Sequence, residues 1–138
     1  MSTGKKIKEL RKLRKMTQAQ LGEASGVVEG AIRNYEREVR TPSDEQLEKI
    51  AAALDVPVTA LEDYEIDSAR AALEALFRME DSFGIAPGPD GTIAIDHRAK
   101  GAKKLTQALK VWSRALADVE SGKMTEAEYE LWKASFRA

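Results

Sequence analysis

The sequence contains no cysteine and only one histidine, and these absences exclude several kinds of chemistry. Without cysteine the chain forms no disulfide, has no thiol nucleophile and cannot bind zinc through sulfur. His97 has no second imidazole with which to complete a zinc site, and Ser25 and Ser113 lack a plausible general base. We therefore expect a protein that is not an enzyme and that needs no metal or cofactor.

Long hydrophobic runs are also missing. No stretch approaches the roughly 20 apolar residues that span a bilayer, and the lysines near the N-terminus are not followed by the apolar segment of a signal peptide. We expect a cytoplasmic protein with no membrane partner. Its 138 residues are enough for one helix bundle and a second small unit with its own core.

A large excess of either charge is absent as well, because the formal net charge is −1. This argues against a protein that coats nucleic acid regardless of sequence. The distribution is uneven, however, since the first 15 residues contain one acid, Glu9, beside seven basic residues: Lys5, Lys6, Lys8, Arg11, Lys12, Arg14 and Lys15. Such a cluster is typical of a phosphate-binding surface, and the alternative is a solvated helix face.

What is present is a helix, a tight turn and a second helix within residues 16–43. Thr17, followed three residues later by Gln20, is a capping box that begins a helix. Gly26 stands where a tight turn needs a residue that accepts a positive φ. The second helix, at about residues 28–37, has an apolar stripe for the core. Its opposite face is predicted to carry Glu29, Gly30, Arg33, Asn34 and Arg37.

The segment LRKLRKMTQAQLGEASGVVEGAIRNYEREVRTPSDEQLEKIAAALDVPVTALED resembles the XRE family, the Cro- and phage-repressor-like helix-turn-helix domains. The resemblance covers about the first 63 residues, and its most specific motifs, TQAQL, GV, I-x-x-Y-E and R-x-P-S, occur in the family's order. It implies a five-helix domain that docks on operator DNA as a dimer, with its third helix in the major groove.

The resemblance also assigns roles to individual residues. Thr17 and Gln18 would contact the DNA backbone and an adjacent base, and Arg11 would pair with Glu36 and lock helix 1 to helix 3. Arg33 and Asn34 would enter the groove, and Arg37 and Arg40 would bind phosphates. The expected DNA-binding residues are Arg11, Lys12, Thr17, Gln18, Glu29, Gly30, Arg33, Asn34, Arg37 and Arg40.

Three residues depart from the family's pattern. Glu29 places an acid where the family offers polar donors, and it could accept a hydrogen bond from cytosine N4 or simply be solvated. Gly30 offers no side chain to the groove. Glu38 stands where the family favours glycine just after the helix, so we expect a less regular helix end there.

The second half of the chain has a different pattern. Apolar residues at helical spacing predict a connecting helix from Ile66 to about Glu80. Residues 84–96 contain several prolines and glycines, with Asp90 and Gly91 at a bend. They are compatible with a short β-hairpin or with an ordered loop.

After residue 96, apolar residues alternate three and four positions apart, which is the spacing of a helix seam. A further capping box, Thr125 with Glu128, begins a last helix, so the tail is predicted to be a helical hairpin. We expect the seam to join two chains; the alternative is that it packs on residues 66–77 and 129–136 of its own chain. The candidate dimerisation residues are Leu105, Leu109, Trp112, Leu116, Val119 and Trp132.

These patterns predict a mainly α-helical protein in two domains. Residues 1–63 would form a lambda-repressor-like helix-turn-helix domain, and residues 64–138 a helical dimerisation or regulatory domain with a possible short hairpin. The expected function is that of a homodimeric repressor that binds double-stranded operator DNA. Two alternatives remain: an antitoxin whose C-terminal half masks a protein partner, and an interaction adaptor that no longer reads DNA.

Overall fold

The computed structural model describes residues 1–138. The chain forms seven α-helices, one 3-10 turn and one two-stranded sheet, which confirms the predicted mainly α fold with a short hairpin. The elements are α1 (Thr3–Leu13), α2 (Gln18–Ser25), α3 (Glu29–Glu36), α4 (Asp44–Leu54), the 3-10 turn (Val58–Ala60), α5 (Ala69–Phe83), β1 (Ile85–Pro87), β2 (Ile93–Ile95), α6 (Ala102–Glu120) and α7 (Glu126–Ser135).

The chain divides into two compact units. The N-terminal unit combines residues 1–64 with residues 125–137, and the central unit comprises residues 65–124. The C-terminal helix α7 therefore belongs to the same unit as α1 to α4. No helix of the chain is both long enough and apolar enough to cross a membrane.

The N-terminal unit has a continuous apolar core, because each of its first four helices turns an apolar stripe inward. The fully buried large side chains are Ile7, Leu10, Leu21, Ile32, Ile50, Leu54 and Leu61. The fifth helix that the resemblance implied is a single 3-10 turn. Only three residues separate Pro57 from the buried Leu61, and this length is too short for repeated α-helical hydrogen bonds.

Helix α7 packs against α1, so the predicted hairpin of the last two helices is wrong. Ala134 is buried within the core cluster of the N-terminal unit. Arg14 Nη2 donates to Ser135 Oγ at 3.2 Å. Helix α7 starts where the sequence predicted, since Thr125 and Glu128 form the reciprocal capping box. Helical periodicity shows that α7 has an apolar side, but it does not show which helix covers that side.

The central unit contains the hairpin whose existence the sequence left open. Strands β1 and β2 pair antiparallel, with Ile85 opposite Ile95 and Pro87 opposite Ile93. Asp96 directly follows β2, and the Arg98 guanidinium and backbone N–H that donate to its carboxylate hold the pKa of Asp96 at about 2. The base of the hairpin is closed by the Asp96 backbone N–H, which donates to the Gly84 carbonyl at 2.8 Å.

The central unit buries very little apolar surface. Its only buried hydrophobic residues are Ala102 and Ala115, and α5 has no buried residue at all. Nine of its large hydrophobic side chains are instead exposed: Ile66, Leu73, Phe77, Phe83, Ile93, Leu109, Val111, Trp112 and Leu116. The stripes that the sequence predicted on α5 and α6 are thus present but largely uncovered.

Candidate nucleic-acid interface

The turn between α2 and α3 is tight and is determined by local interactions. Thr17 Oγ1 accepts from the Gln20 backbone N–H, and Gln20 Oε1 accepts from the Thr17 backbone N–H, so the predicted capping box is confirmed. Helix α2 ends at Gly26 with φ of +73°, a conformation that favours glycine. A Cβ atom at Gly22 would lie 2.8 Å from the Val27 carbonyl oxygen. The two helices approach so closely that α2 has no room for a side chain at this position.

Helix α3 occupies Glu29–Glu36, close to the predicted residues 28–37. Its inner side is held in the core by the buried Ile32 and Tyr35. The residues on its outer side, Glu29, Gly30, Arg33 and Arg37, are exposed as the sequence predicted. The helix therefore presents one polar face to solvent while its other face fixes its position.

A buried ion pair braces α3 from behind. Arg11 Nε lies 2.7 Å from Glu36 Oε2, and Arg11 Nη2 lies 2.8 Å from Glu36 Oε1, so the pair is bidentate. The hydrogen bond to Glu36 raises the pKa of Arg11. Arg11 Nη1 also donates to the Met16 carbonyl at 2.8 Å. The pairing of α1 with α3 that the resemblance implied is present.

Arg11 was also expected among the DNA-binding residues, and its surroundings bear on that expectation. The residue is buried, and all three guanidinium nitrogens donate within the domain. Such a side chain cannot reach a phosphate without stranding the Glu36 carboxylate. Arg11 therefore joins α1 to α3 through Glu36.

The basic cluster at the N-terminus is likewise smaller than the sequence suggested. Arg14 Nε donates to the Leu54 carbonyl at 2.9 Å, and Arg14 Nη2 donates to the Asp55 carbonyl at 3.2 Å. A cation at these carbonyls caps the C-terminal end of α4. Nothing in the sequence pattern separates this arginine from its neighbours. The exposed cations of the segment are Lys5, Lys8, Lys12 and Lys15.

The two predicted amide side chains, Gln18 and Asn34, lie on different helices, α2 and α3. Gln18 is half-buried at the start of α2, and its Nε2 donates to Glu36 Oε1 at 3.3 Å. Asn34 is half-buried in the last turn of α3. Its carbonyl accepts from the backbone N–H groups of Val39 and Arg40, which turns the chain away from the helix. Glu36 thus orients both Arg11 and Gln18.

Glu29 and Arg33 form an ion pair along the outer face of α3. Arg33 Nη2 lies 3.5 Å from Glu29 Oε1, and about half of each side chain is exposed. Exposed pairs of this kind contribute less than about 1 kcal/mol, so both groups can exchange partners on binding. Between them, Gly30 faces open space, since a Cβ atom there would meet nothing within 4 Å.

The residues expected to meet phosphates are on the surface. Thr17, Lys12, Arg37 and Arg40 are all exposed. Glu38, after α3, takes the left-handed φ of +62° that glycine would take in the family. The helix end is therefore regular in its backbone, contrary to the expectation, but a glutamate adopts the unfavourable conformation.

The candidate dimerisation residues fall into two groups. Five lie on α6 in the central unit, where Leu105 and Val119 are half-buried and Leu109, Trp112 and Leu116 are exposed. The sixth, Trp132, lies on α7 in the N-terminal unit. It is stacked on Tyr129 and tilted against Phe136, with ring centroids 6.2 Å and 5.3 Å away.

A capped helix, a glycine turn and a braced second helix with a polar outer face define a helix-turn-helix DNA-binding domain. Residues 7–61 match the family described as Helix-turn-helix (HTH_3). The match is limited to these residues, which form an XRE-type helix-turn-helix domain, as the sequence motifs predicted.

The chain is also similar to individual known proteins. Over 61 residues it is 39% identical to the immunity repressor protein of Bacillus phage phi105. That alignment covers 44% of this chain and 42% of the phage protein, so the chain spans less than half the length of this relative. The chain is also similar to a chain in a solved structure of the SinR protein/SinI protein complex, with 25% sequence identity and a TM-score of 0.46. That superposition covers 83% of this chain and 97% of the other.

Proposed function

We propose that the chain is a homodimeric, sequence-specific transcriptional repressor that places α3 in the major groove of operator DNA. The observation that carries this proposal is the position of α3, which is braced from behind by the Arg11–Glu36 pair and polar on its exposed side. A helix that reads bases must be held rigidly, because a misplaced donor loses its base contact.

Affinity and specificity would come from different residues. Lys12, Arg37 and Arg40 are exposed cations around the helix-turn-helix and would neutralise phosphates of any sequence. Gln18, Arg33 and Asn34 would contact base edges, where each good contact discriminates by about 1–3 kcal/mol. The Gln18 side chain would be oriented for this by its hydrogen bond to Glu36.

The experiment uses the full chain and a duplex selected by it from a random pool. Lys12→Ala and Arg40→Ala should weaken binding to the selected and to random duplexes alike, and should reduce the salt dependence of the dissociation constant. Asn34→Ala should weaken binding mainly to the selected duplex, by about 1–3 kcal/mol. Equal losses on both duplexes for Asn34→Ala would remove it from the base-reading residues.

Dimerisation would be the task of the central unit. Exposed apolar side chains recur along α6, and the only buried hydrophobic residues of the central unit are two alanines. The central unit itself therefore does not cover the apolar stripe of α6. A second copy supplies one by symmetry, because the same stripe meets itself across a two-fold axis. Two linked helix-turn-helix domains then address two half-sites, and the second binds at high effective concentration.

Charge substitution on α6 tests the dimer in the full chain. Leu116→Glu should convert the dimer to monomer in sedimentation and should weaken binding to the selected duplex. Lys110→Glu, on the same helix but outside the stripe, is the matched control and should stay dimeric. A wild-type chain that sediments as a monomer would overturn the proposal. Truncation after residue 63 is a poorer test, since it also removes α7 from the N-terminal unit.

The Glu29–Arg33 ion pair favours one second candidate, an interaction adaptor that has lost DNA reading, because an acid on the groove face repels phosphate and occupies an arginine. If the wild-type chain enriches no duplex from the random pool even at low salt, the adaptor is favoured and the repressor is rejected.

A further inference from the structure

Two consecutive valines precede the first residue of α3, and they differ greatly in their exposure to solvent. Val27 is 3% exposed and belongs to the core, whereas Val28 is 74% exposed. No other large hydrophobic side chain of the chain is as exposed as Val28. Val28 is also the N-cap residue of α3 but makes no side-chain capping hydrogen bond, so its side chain does not serve the helix start.

The surroundings of Val28 leave it accessible from the groove side. Gly30, two residues further on, has open space where a side chain would project. Glu29 and Arg33 lie on the exposed side of the same helix and can pair with each other. The N-terminal residues of a recognition helix are those that reach base edges, so an apolar group stands where polar readers are usual.

The major groove offers one apolar feature on a base edge, the C5-methyl group of thymine. We propose that Val28 reads thymine through this methyl group, so that each half-site contains one thymine opposite the start of α3. This inference rests on the proposed sequence-specific DNA binding and adds a specificity-determining residue to it. Burial of one methyl-sized group is worth about 0.8 kcal/mol, which corresponds to about a fourfold change in affinity.

The test removes the methyl group from the DNA and the side chain from the protein. The probe is the duplex selected by the full wild-type chain, with each thymine replaced in turn by deoxyuridine, which keeps the base pairing and lacks only the methyl. For wild type we expect one thymine per half-site at which the replacement weakens binding about fourfold. Val28→Ala should bind the unmodified duplex more weakly and should be insensitive to deoxyuridine at that position.

Val39→Ala is the matched control. Val39 is 62% exposed but follows the C-terminal end of α3, so its variant should keep the wild-type deoxyuridine penalty. The inference is overturned if no thymine is sensitive in wild type, or if Val28→Ala retains the penalty. Failure of the wild-type chain to enrich any duplex is a different result, because it rejects the sequence-specific binding itself. Circular dichroism of both variants should match wild type, since both side chains are exposed.

Discussion

The N-terminal and central units are both built from amphipathic helices, yet they bury apolar side chains to very different extents. Every buried hydrophobic residue of the chain except Ala102 and Ala115 lies in the N-terminal unit. In the central unit, side chains as large as Phe77 and Trp112 are exposed. An apolar stripe therefore predicts that a helix will be covered, but it does not say whether its own chain provides the cover.

The difference also matches the separate roles that we propose for the two units. The N-terminal unit has a complete core and positions α3 with a buried ion pair, so it can hold its reading surface without help. The central unit contributes exposed apolar area that a second molecule would cover. We expect the stability of the first unit to depend on single buried residues and that of the second to depend on protein concentration.

The largest effect should come from breaking the buried ion pair of the N-terminal unit. Arg11→Met keeps an unbranched side chain but removes the guanidinium group, so the Glu36 carboxylate, whose side chain is 2% exposed, is left without its cation. We expect a loss of about 3–5 kcal/mol in the free energy of unfolding, measured by urea denaturation. Lys49→Met breaks the exposed Lys49–Glu45 pair and should cost less than about 1 kcal/mol. Equal losses would contradict the role of burial.

A second prediction tests whether α7 belongs to the N-terminal unit. Ala134→Glu places a carboxylate in the core cluster and should lower the stability of that unit by about 2–3 kcal/mol. The dimerisation of the full chain should be unchanged. Ala127→Glu on the exposed side of the same helix is the control and should have no such effect. If Ala134→Glu sediments as a monomer, the result would instead indicate that α7 contributes to the dimerisation surface.

The two tryptophans allow each unit to be followed separately. Trp132→Phe leaves Trp112 as the reporter of the central unit, and Trp112→Phe leaves Trp132 as the reporter of the N-terminal unit. A tenfold rise in protein concentration should stabilise a dimeric central unit by about 1.4 kcal/mol per dimer. The Trp112 unfolding midpoint should therefore rise with concentration while that of Trp132 stays constant. A Trp112 midpoint that does not move would contradict a dimeric central unit.

The smallest effect concerns how the helices of the two units end. Helix α5 ends at Gly84 with φ of +73°, whereas Glu38, after α3, takes φ of +62°. Glu38→Gly should stabilise the chain by about 0.5–1 kcal/mol, because the left-handed conformation costs an L-residue about 1–2 kcal/mol and the greater freedom of unfolded glycine offsets part of this gain. The control Glu48→Gly, within α4, should instead destabilise by about 1 kcal/mol. In thermal unfolding, the midpoint should therefore rise for Glu38→Gly and fall for Glu48→Gly.

Much of the candidate site could be predicted from the sequence. The capping box at Thr17, the glycine turn and the exposed face of α3 all depend on residues within a few positions of one another. The Arg11–Glu36 pair joins residues far apart in the chain, and only the family resemblance pointed to it. The exposure of Val28 could not be predicted, because two adjacent valines look alike in a sequence although one is buried and the other exposed.

The sequence by itself determined where helices start and stop and which class of DNA-binding domain they form, because caps, turns and periodicity act between residues at most four apart. Only the tertiary structure decided which surfaces meet. It placed α7 on α1, turned Arg11 and Arg14 inward to a carboxylate and to carbonyls, and left the stripe of α6 exposed. These outcomes depend on the shape and charge of distant segments, since an apolar or basic side chain binds whichever complementary partner the fold brings within reach.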